Sequence, residues 1–313
     1  MAATPPRPRA SKRARKPDFD INALLPSWEL SLRHERKSRE TIKSYTTGVY
    51  QFLDWCEVYG HQPALDKKLL RAWVDDIITT GASPATAVAR QLGVRRFSAW
   101  CEEEGELEAD PLLGLRSPKI DKKVTKGLPD DQLRELIRVC AGKEFLDRRD
   151  EAMLRLMAET GVRAGELLDL SVDDVDLLRG QVTVVRGKGG KGRVAPIGPQ
   201  AARAIDRYLR ARRSHRLSDA STALWLGDRG KQLGYYGLRN ALQRRAEMAG
   251  IKDFHPHLMR HTFATRWKAA GGSDDGLMSV AGWSSRDMID RYAGAAAADR
   301  AANEARRLGL GEI

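Results

Sequence analysis

The chain has 313 residues, 42% of them hydrophobic, which suits about two domains with real cores. Lys and Arg number 54 against 42 Asp and Glu, a formal charge of +12 that favours a polyanionic partner, nucleic acid ahead of an acidic membrane. There is no apolar run approaching the ~18 residues of a membrane span, no apolar signal-peptide core, and no CxxC pattern among Cys56, Cys101 and Cys140; membrane insertion, export, a disulfide framework and a Cys-rich zinc site are disfavoured, and a cytoplasmic chain is expected.

The charge is unevenly placed. Residues 1–17 hold six basic residues and no acid, 18–122 hold 14 basic and 17 acidic, and 123–313 hold 34 and 25. The later part is therefore the more phosphate-friendly body, unless the excess serves solubility alone. "MAATPPRPRASKRARKP" (1–17) is Pro-rich and basic without an apolar pattern. It is expected to be a disordered tail that either lies along a phosphate backbone or is simply solvated.

From Asp18 the pattern turns helical. Leu24, Leu25, Trp28 and Leu30 predict a first short helix. Ser38 is a good N-cap for a second, with a stripe at Ile42, Tyr45, Val49, Phe52, Leu53 and Cys56 and a stop at Gly60. Leu69, Leu70, Trp73, Ile77 and Ile78 give a third, ended near Gly81. "SPATAVARQLGVRRFSAWCEEEG" gives a fourth, with Ser83 as N-cap, Pro84 in the first turn and Gly105 as the stop. Residues 18–113 thus read as an all-α helical domain. Thr86, Arg90, Arg95 and Arg96 are its candidate DNA contacts, or equally a solvated face.

Residues 114–126 carry the end of a Pro-, Gly- and Lys/Arg-rich stretch and read as a linker. A basic tether of this kind would let two domains close around a rod such as duplex DNA. The second domain, 127–298, is expected to be mainly α, in the α+β class, with one small antiparallel sheet. "LPDDQLRELIRVC" opens it with an amphipathic helix, and a helix, a break at Gly161 and a second short helix follow. Val182, Val184 and Val185, then "GKGGKGR" and "VAPI", form the clearest strand–turn–strand. Helices are predicted over 199–214, 235–249, 258–270, 275–282 and 286–292. Residues 294–308 read as helical too, and the tail 299–313 is amphipathic enough to dock on a neighbouring protomer.

Two familiar motifs fail. "GKGGKGR" is not a P-loop, because Arg193 stands where its lysine would be. "HLMRH" has His257 and His261 four apart, but Leu258 occupies the place of the catalytic glutamate of a zinc protease. No metal site is expected.

What remains is a polar set without a carboxylate pair, a Ser/Cys nucleophile or a metal cage. Arg163 follows the glycine break, with Glu166 at i+3 able to orient it if the segment is buried. Lys188 sits at the tip of the glycine-rich turn; either it reaches a backbone or it merely serves the hairpin. His257 and Arg260 are three apart on one helix face, and this pair is either an anion clamp or a surface pair. His255 lacks that match, and His261 is expected to point elsewhere as a structural hydrogen-bonder. Trp283 and Tyr292 stand in "AGWSSRDMIDRYAG". Arginines, a lysine, a histidine, a ring N–H and a tyrosine are tools for a phosphodiester attacked by a phenol.

The text "TGVRAGELLDL", "GKGGKGRVAPIG", "HPHLMRHTFATRW" and "LMSVAGWSSRDMIDRYAG" resembles, in order and spacing, the motifs of the tyrosine site-specific recombinases of the phage-integrase and Xer type. The likeness covers the whole second domain, and the helical first domain resembles that family's core-binding domain. Two departures stand out. Met259 takes the place of a usual leucine, and Trp283 the place of a more usual histidine, which removes proton transfer from that position.

The resemblance implies Tyr292 as nucleophile, forming a 3′-phosphotyrosyl DNA and a free 5′-hydroxyl. It implies Arg163 and Arg260 as braces for the non-bridging oxygens, Lys188 as the donor to the leaving oxygen, His257 as general acid/base and Trp283 as an indole donor. Lys191 and Arg193 are expected to touch DNA. It further implies no cofactor, no metal and no ATP, double-stranded DNA with specific core sites as partner, and a homotetramer on two duplexes. An accessory directionality factor or a second recombinase would fit the same pattern. The role is then integration or excision of a mobile element or Xer-like resolution. A type IB topoisomerase and a DNA-binding relic that no longer cuts are the rivals.

Overall fold

The computed structural model describes residues 19–120, 127–185, 192–228, 230–286, 288–289, 306 and 308. The chain divides into two units, 1–121 and 122–313, and the dividing point falls within the stretch read as a linker.

In the first unit, four helices follow from their caps and stripes: α1 Ile21–His34, α2 Arg39–Val58, α3 Lys67–Thr79 and α4 Pro84–Glu103. Asp20, Ser38, Asp66 and Ser83 each accept a first-turn backbone N–H through the side chain, satisfying donors that would otherwise have no partner. α1 is longer than the sequence suggests and carries Pro26 internally; its buried positions are Ile21, Leu25, Trp28 and Leu32, whereas Leu30 is exposed. Trp28, Phe52, Trp73 and Phe97 fill the core, with Trp28 edge-on to Phe97 and Phe52 edge-on to Trp73.

The closest packing in this unit is between α2 and α4. A Cβ on Gly48 would stand 2.5 Å from the Arg90 carbonyl oxygen, and one on Gly93 would stand 2.4 Å from that of Tyr45. Two glycines thus let the backbones touch reciprocally, which hydrophobic periodicity does not announce. Thr86 and Arg90 share one face of α4, as residues four apart must. Arg95 lies roughly 140° around the helix from Arg90 at about 100° per residue. Arg96 borders a cleft of about 140 Å³ beside Trp100 and Glu103. The four candidate DNA contacts therefore do not make one stripe.

The second unit contains α5 Asp130–Arg138, α6 Phe145–Thr160, α7 Ala164–Leu168, β1 Val175–Asp176, β2 Gln181–Val184, β3 Arg193–Pro196, α8 Pro199–Arg212, α9 Tyr235–Met248, α10 Pro256–Ala269 and α11 Asp274–Ala281. The sheet is antiparallel in the order β1-β2-β3, with Val182 opposite Ala195 and Val184 opposite Arg193. The expected hairpin gains β1, a strand of two residues and so too short for a period-2 signal. Val182 and Val184 face the core, while Val185 is exposed. α10 begins two residues earlier than expected because Pro256 fits the first turn.

Among the described residues, two apolar clusters serve this unit. The larger is built around α6, with Leu154, Met157, Tyr208 and Trp225. The smaller joins β3, α10 and α11 through Ala195, Phe263, Ala264, Leu277, Val280, Trp283 and Ile289. Buried charge in the larger cluster is paired: Asp150 accepts from Arg149 and from Arg245, whose Nη2 also reaches Asp147. The three cysteines are buried and unbridged, and burial is the main force pushing the Cys101 and Cys140 thiols up to about 12. Tyr292 and nearly all of 294–308 lie outside the described residues, as do Lys188 and Lys191.

The glycine contact gives a direct expectation. Gly93→Ala gains helix propensity but forces α2 and α4 apart, so the first unit should lose about 1–3 kcal/mol. Urea denaturation of the full chain checks this through a lower midpoint for that unit. An unchanged or raised midpoint contradicts the backbone contact.

Candidate active site

Among the described residues, four segments build the site: the α6–α7 junction, the first residue of β3, the start of α10 and the end of α11. α6 stops at Gly161 in the left-handed region, φ 58°, where a Cβ would meet the Phe263 ring at 2.4 Å. Only glycine satisfies both demands. The freed carbonyl of Gly161 accepts from Arg260 Nη1 at 2.6 Å, so the helix terminus itself docks one arginine.

Two residues later Arg163 is the N-cap of α7, and Glu166 reaches back to it. Glu166 Oε2 accepts the Arg163 backbone N–H at 2.9 Å, and Oε1 accepts from Arg163 Nη1 at 2.7 Å. The carboxylate thus caps the short helix and ion-pairs with the Arg163 guanidinium. Arg163 Nη2 also reaches the carbonyl of Gly282 at 3.4 Å. Gly282 is the left-handed C-cap of α11, φ 64°.

Trp283 follows that cap and is 5% exposed. Its ring centroid lies 5.2 Å from the Arg260 guanidinium carbon, a cation–π contact. Arg260 itself is only 1% exposed. The contacts therefore run crosswise. Arg260 is held at Gly161, beside the segment that presents Arg163, and Arg163 is held at Gly282, beside the residue that faces Arg260.

His257 falls in the first turn of α10 and is exposed. His261 does not point away from it. The two rings meet edge-to-face at 4.6 Å, and His255, the N-cap, lies 6.5 Å from His261. The reason is the i, i+4 spacing, which stacks side chains one turn apart on a common face. Met259 is fully buried in the larger core, so the apolar exchange at that position is absorbed by packing. Among the described residues, no group of three His, Cys, Asp or Glu side chains is placed to hold a metal ion.

Arg193, expected to contact DNA, has a side chain only 9% exposed. Nη2 donates to Glu166 Oε2 at 2.8 Å and Nε to the Val280 carbonyl at 2.8 Å. A guanidinium beside a buried carboxylate is drawn inward, because the carboxylate needs compensation more than solvent needs the cation.

Residues 126–299 match the sequence model of the phage integrase family. A tyrosine recombinase XerC of Corynebacterium glutamicum is 32% identical over 259 residues, 82% of each chain. Another XerC, of Roseiflexus castenholzii, is 36% identical over 257 residues, 78% of this chain and 80% of that one. The chain belongs to the phage integrase family of tyrosine recombinases. The solved structure of the XerH site-specific recombinase bound to a palindromic difH substrate shares the fold at a TM-score of 0.69 and 18% identity, covering 87% of this chain and 80% of that one.

As a tyrosine recombinase the protein is a DNA-cleaving and rejoining enzyme, and several parts of its site escaped sequence reasoning. The carbonyls of Gly161 and Gly282 carry no side-chain signal, although a glycine just past a helical stripe marks both caps. The Arg193–Glu166 pair spans 27 residues in sequence, beyond any local pattern. The His257–His261 ring contact follows from the four-residue spacing visible in "HLMRH".

Electrostatics at Glu166 gives a pH expectation. Burial pushes this carboxyl up, but the Arg193 guanidinium, the Arg163 backbone N–H and the Arg163 guanidinium together outweigh burial and hold it at about 2. A depressed carboxyl stabilises the fold above its unfolded value of about 4.3, and that contribution is lost as pH falls towards 2. The linkage is on the order of 3 kcal/mol at neutral pH. Urea stability of wild type and Glu166→Gln should therefore differ most near pH 7 and converge as pH falls from 4.5 to 2. A difference independent of pH contradicts the assignment.

Proposed function

We propose that this chain is a site-specific recombinase that cuts DNA by attack of Tyr292 on the scissile phosphorus. In this reading the Tyr292 oxygen bonds to phosphorus and the bond to the 5′-oxygen breaks, leaving a 3′-phosphotyrosyl link and a 5′-hydroxyl. Tyrosine has a pKa of about 10, so attack needs proton removal and nearby positive charge. His257 serves as general acid/base towards the nucleophile, and Lys188 gives a proton to the departing 5′-oxygen. Arg163 and Arg260 bind the non-bridging oxygens, where charge accumulates in the transition state. Trp283 donates its indole N–H to the phosphate and lends its face to Arg260.

The observation that carries this reading is the crosswise docking of the two arginines. Each gives one N–H to the carbonyl of a helix-terminal glycine, so both guanidinia are fixed before substrate arrives. Fixed donors cost no reorganisation as the reaction proceeds, which is the property that makes charge stabilisation effective.

The phosphotyrosine bond conserves the energy of the phosphodiester, so a 5′-hydroxyl suffices for rejoining. Supplied by a partner duplex, that hydroxyl yields recombinants. This route requires double-stranded DNA with specific core sites and a homotetramer on two duplexes, acting in the cytoplasm. The XerC name carried by the relatives favours a Xer-type resolution role over integration of a mobile element.

The test is a nicked duplex bearing the core site recovered by selection from randomised DNA. Wild type should accumulate a covalent protein–DNA adduct on it, and Tyr292→Phe should give none. Two such sites should yield recombinant products rather than relaxation without site preference. Adducts formed by the phenylalanine variant would remove Tyr292 as nucleophile.

A further inference from the structure

Arg193 is a cation drawn into the site from the sheet, and it approaches three parts of it. It opens β3, and its Nη2 takes Oε2 of Glu166 at 2.8 Å. Its Nε holds the Val280 carbonyl at 2.8 Å, near the end of α11. Its Nη1 passes so close under the α11 cap that a Cβ on Gly282 would lie 2.8 Å from it. The residue therefore ties together the strand, the carboxylate that aims Arg163 and the turn that presents Trp283.

We propose that Arg193 is a positioning residue for DNA cleavage, holding Glu166 against Arg163 while pinning the end of α11 that carries Trp283. The inference rests on the reading of this site as a phosphodiester-cleaving centre. Its physical basis is charge sharing. Paired with Arg163 alone, Glu166 would cancel the charge that Arg163 brings to a phosphate. With Arg193 as a second cation on Oε2, the carboxylate is divided between two guanidinia, and the cluster of two arginines and one glutamate keeps a net positive charge. The same guanidinium fixes where that charge sits, because its planar fork spans Glu166 and Val280 at once. A lysine offers a single point charge and cannot hold both at the same geometry.

Arg193 has no direct role towards DNA in this arrangement, so its loss should separate binding from chemistry. The experiment uses the full chain and the nicked core-site duplex, with affinity and single-turnover cleavage measured separately. Arg193→Gln should bind the duplex as wild type does and cleave about 10²-fold more slowly, the cost expected when a positioned group shifts by about 1 Å. Arg193→Lys should recover part of that rate. The double variant Arg193→Gln/Glu166→Gln should cleave no more slowly than the slower single variant, since both substitutions break one unit.

If Arg193→Gln does not fold, as judged by circular dichroism and cooperative melting, Arg193→Lys decides the matter through the same separation of rate from affinity. A folded variant that cleaves at the wild-type rate overturns the proposal. So does a loss confined to affinity, or losses for Arg193 and Glu166 that multiply. A wild-type protein that forms no Tyr292-dependent adduct would instead overturn the reading of the site, and that control is measured first.

Discussion

The carboxylate of Glu166, 5% exposed, is the constraint on which the rest of the site depends. A buried charge of this kind is tolerable only when partners replace the water it has lost. Glu166 meets that requirement with three donors from two elements: the Arg163 backbone, the Arg163 guanidinium and the Arg193 guanidinium. Each donor is consequently fixed. The start of α7, the start of β3 and the direction of Arg163 all follow from satisfying one carboxylate. Removing it would leave two partly buried cations facing each other, so its structural and electrostatic roles are inseparable.

The second layer of organisation comes from helix ends. α6 and α11 both finish in left-handed glycines, and each finishing residue offers its carbonyl to an arginine of the other half of the site. A carbonyl at a helix C-terminus has no intrahelical donor and sits at the negative end of the helix dipole. It is therefore a good acceptor for a guanidinium, and it is more rigid than a side-chain carboxylate. Trp283 adds an aromatic face to Arg260 at 5.2 Å. The smaller apolar cluster, through Phe263, Val280 and Trp283, keeps α10 and α11 from drifting apart and so preserves both contacts.

Much of this was legible in the sequence, and the limits have physical causes. Ser38 and Ser83 announced their helices because an N-cap is a local hydrogen bond between residues three apart. The residues proposed to carry the chemistry stand out in the sequence as polar residues beside apolar ones, at spacings that resemble a known family. Pairings between distant residues were not. Arg193 looked like a basic residue leaving a glycine-rich turn, and nothing near it in sequence points to Glu166. The contact of Gly48 and Gly93 with backbone carbonyls was hidden for the same reason, and β1 was hidden by its length. The ring of His261 meets that of His257 because the two stand one turn apart.

In the proposed mechanism Arg163 and Arg260 act on the negative charge of the scissile phosphate, held ready by the glycine carbonyls and Glu166. The most direct measurement replaces one non-bridging oxygen of that phosphate with a methyl group, giving a neutral methylphosphonate. Cleavage of the two substrates is then compared for wild type and Arg260→Ala. The expected loss for the variant is about 10²–10³-fold on the phosphodiester and much smaller on the methylphosphonate, which has less charge to stabilise. Equal losses on the two substrates would contradict it.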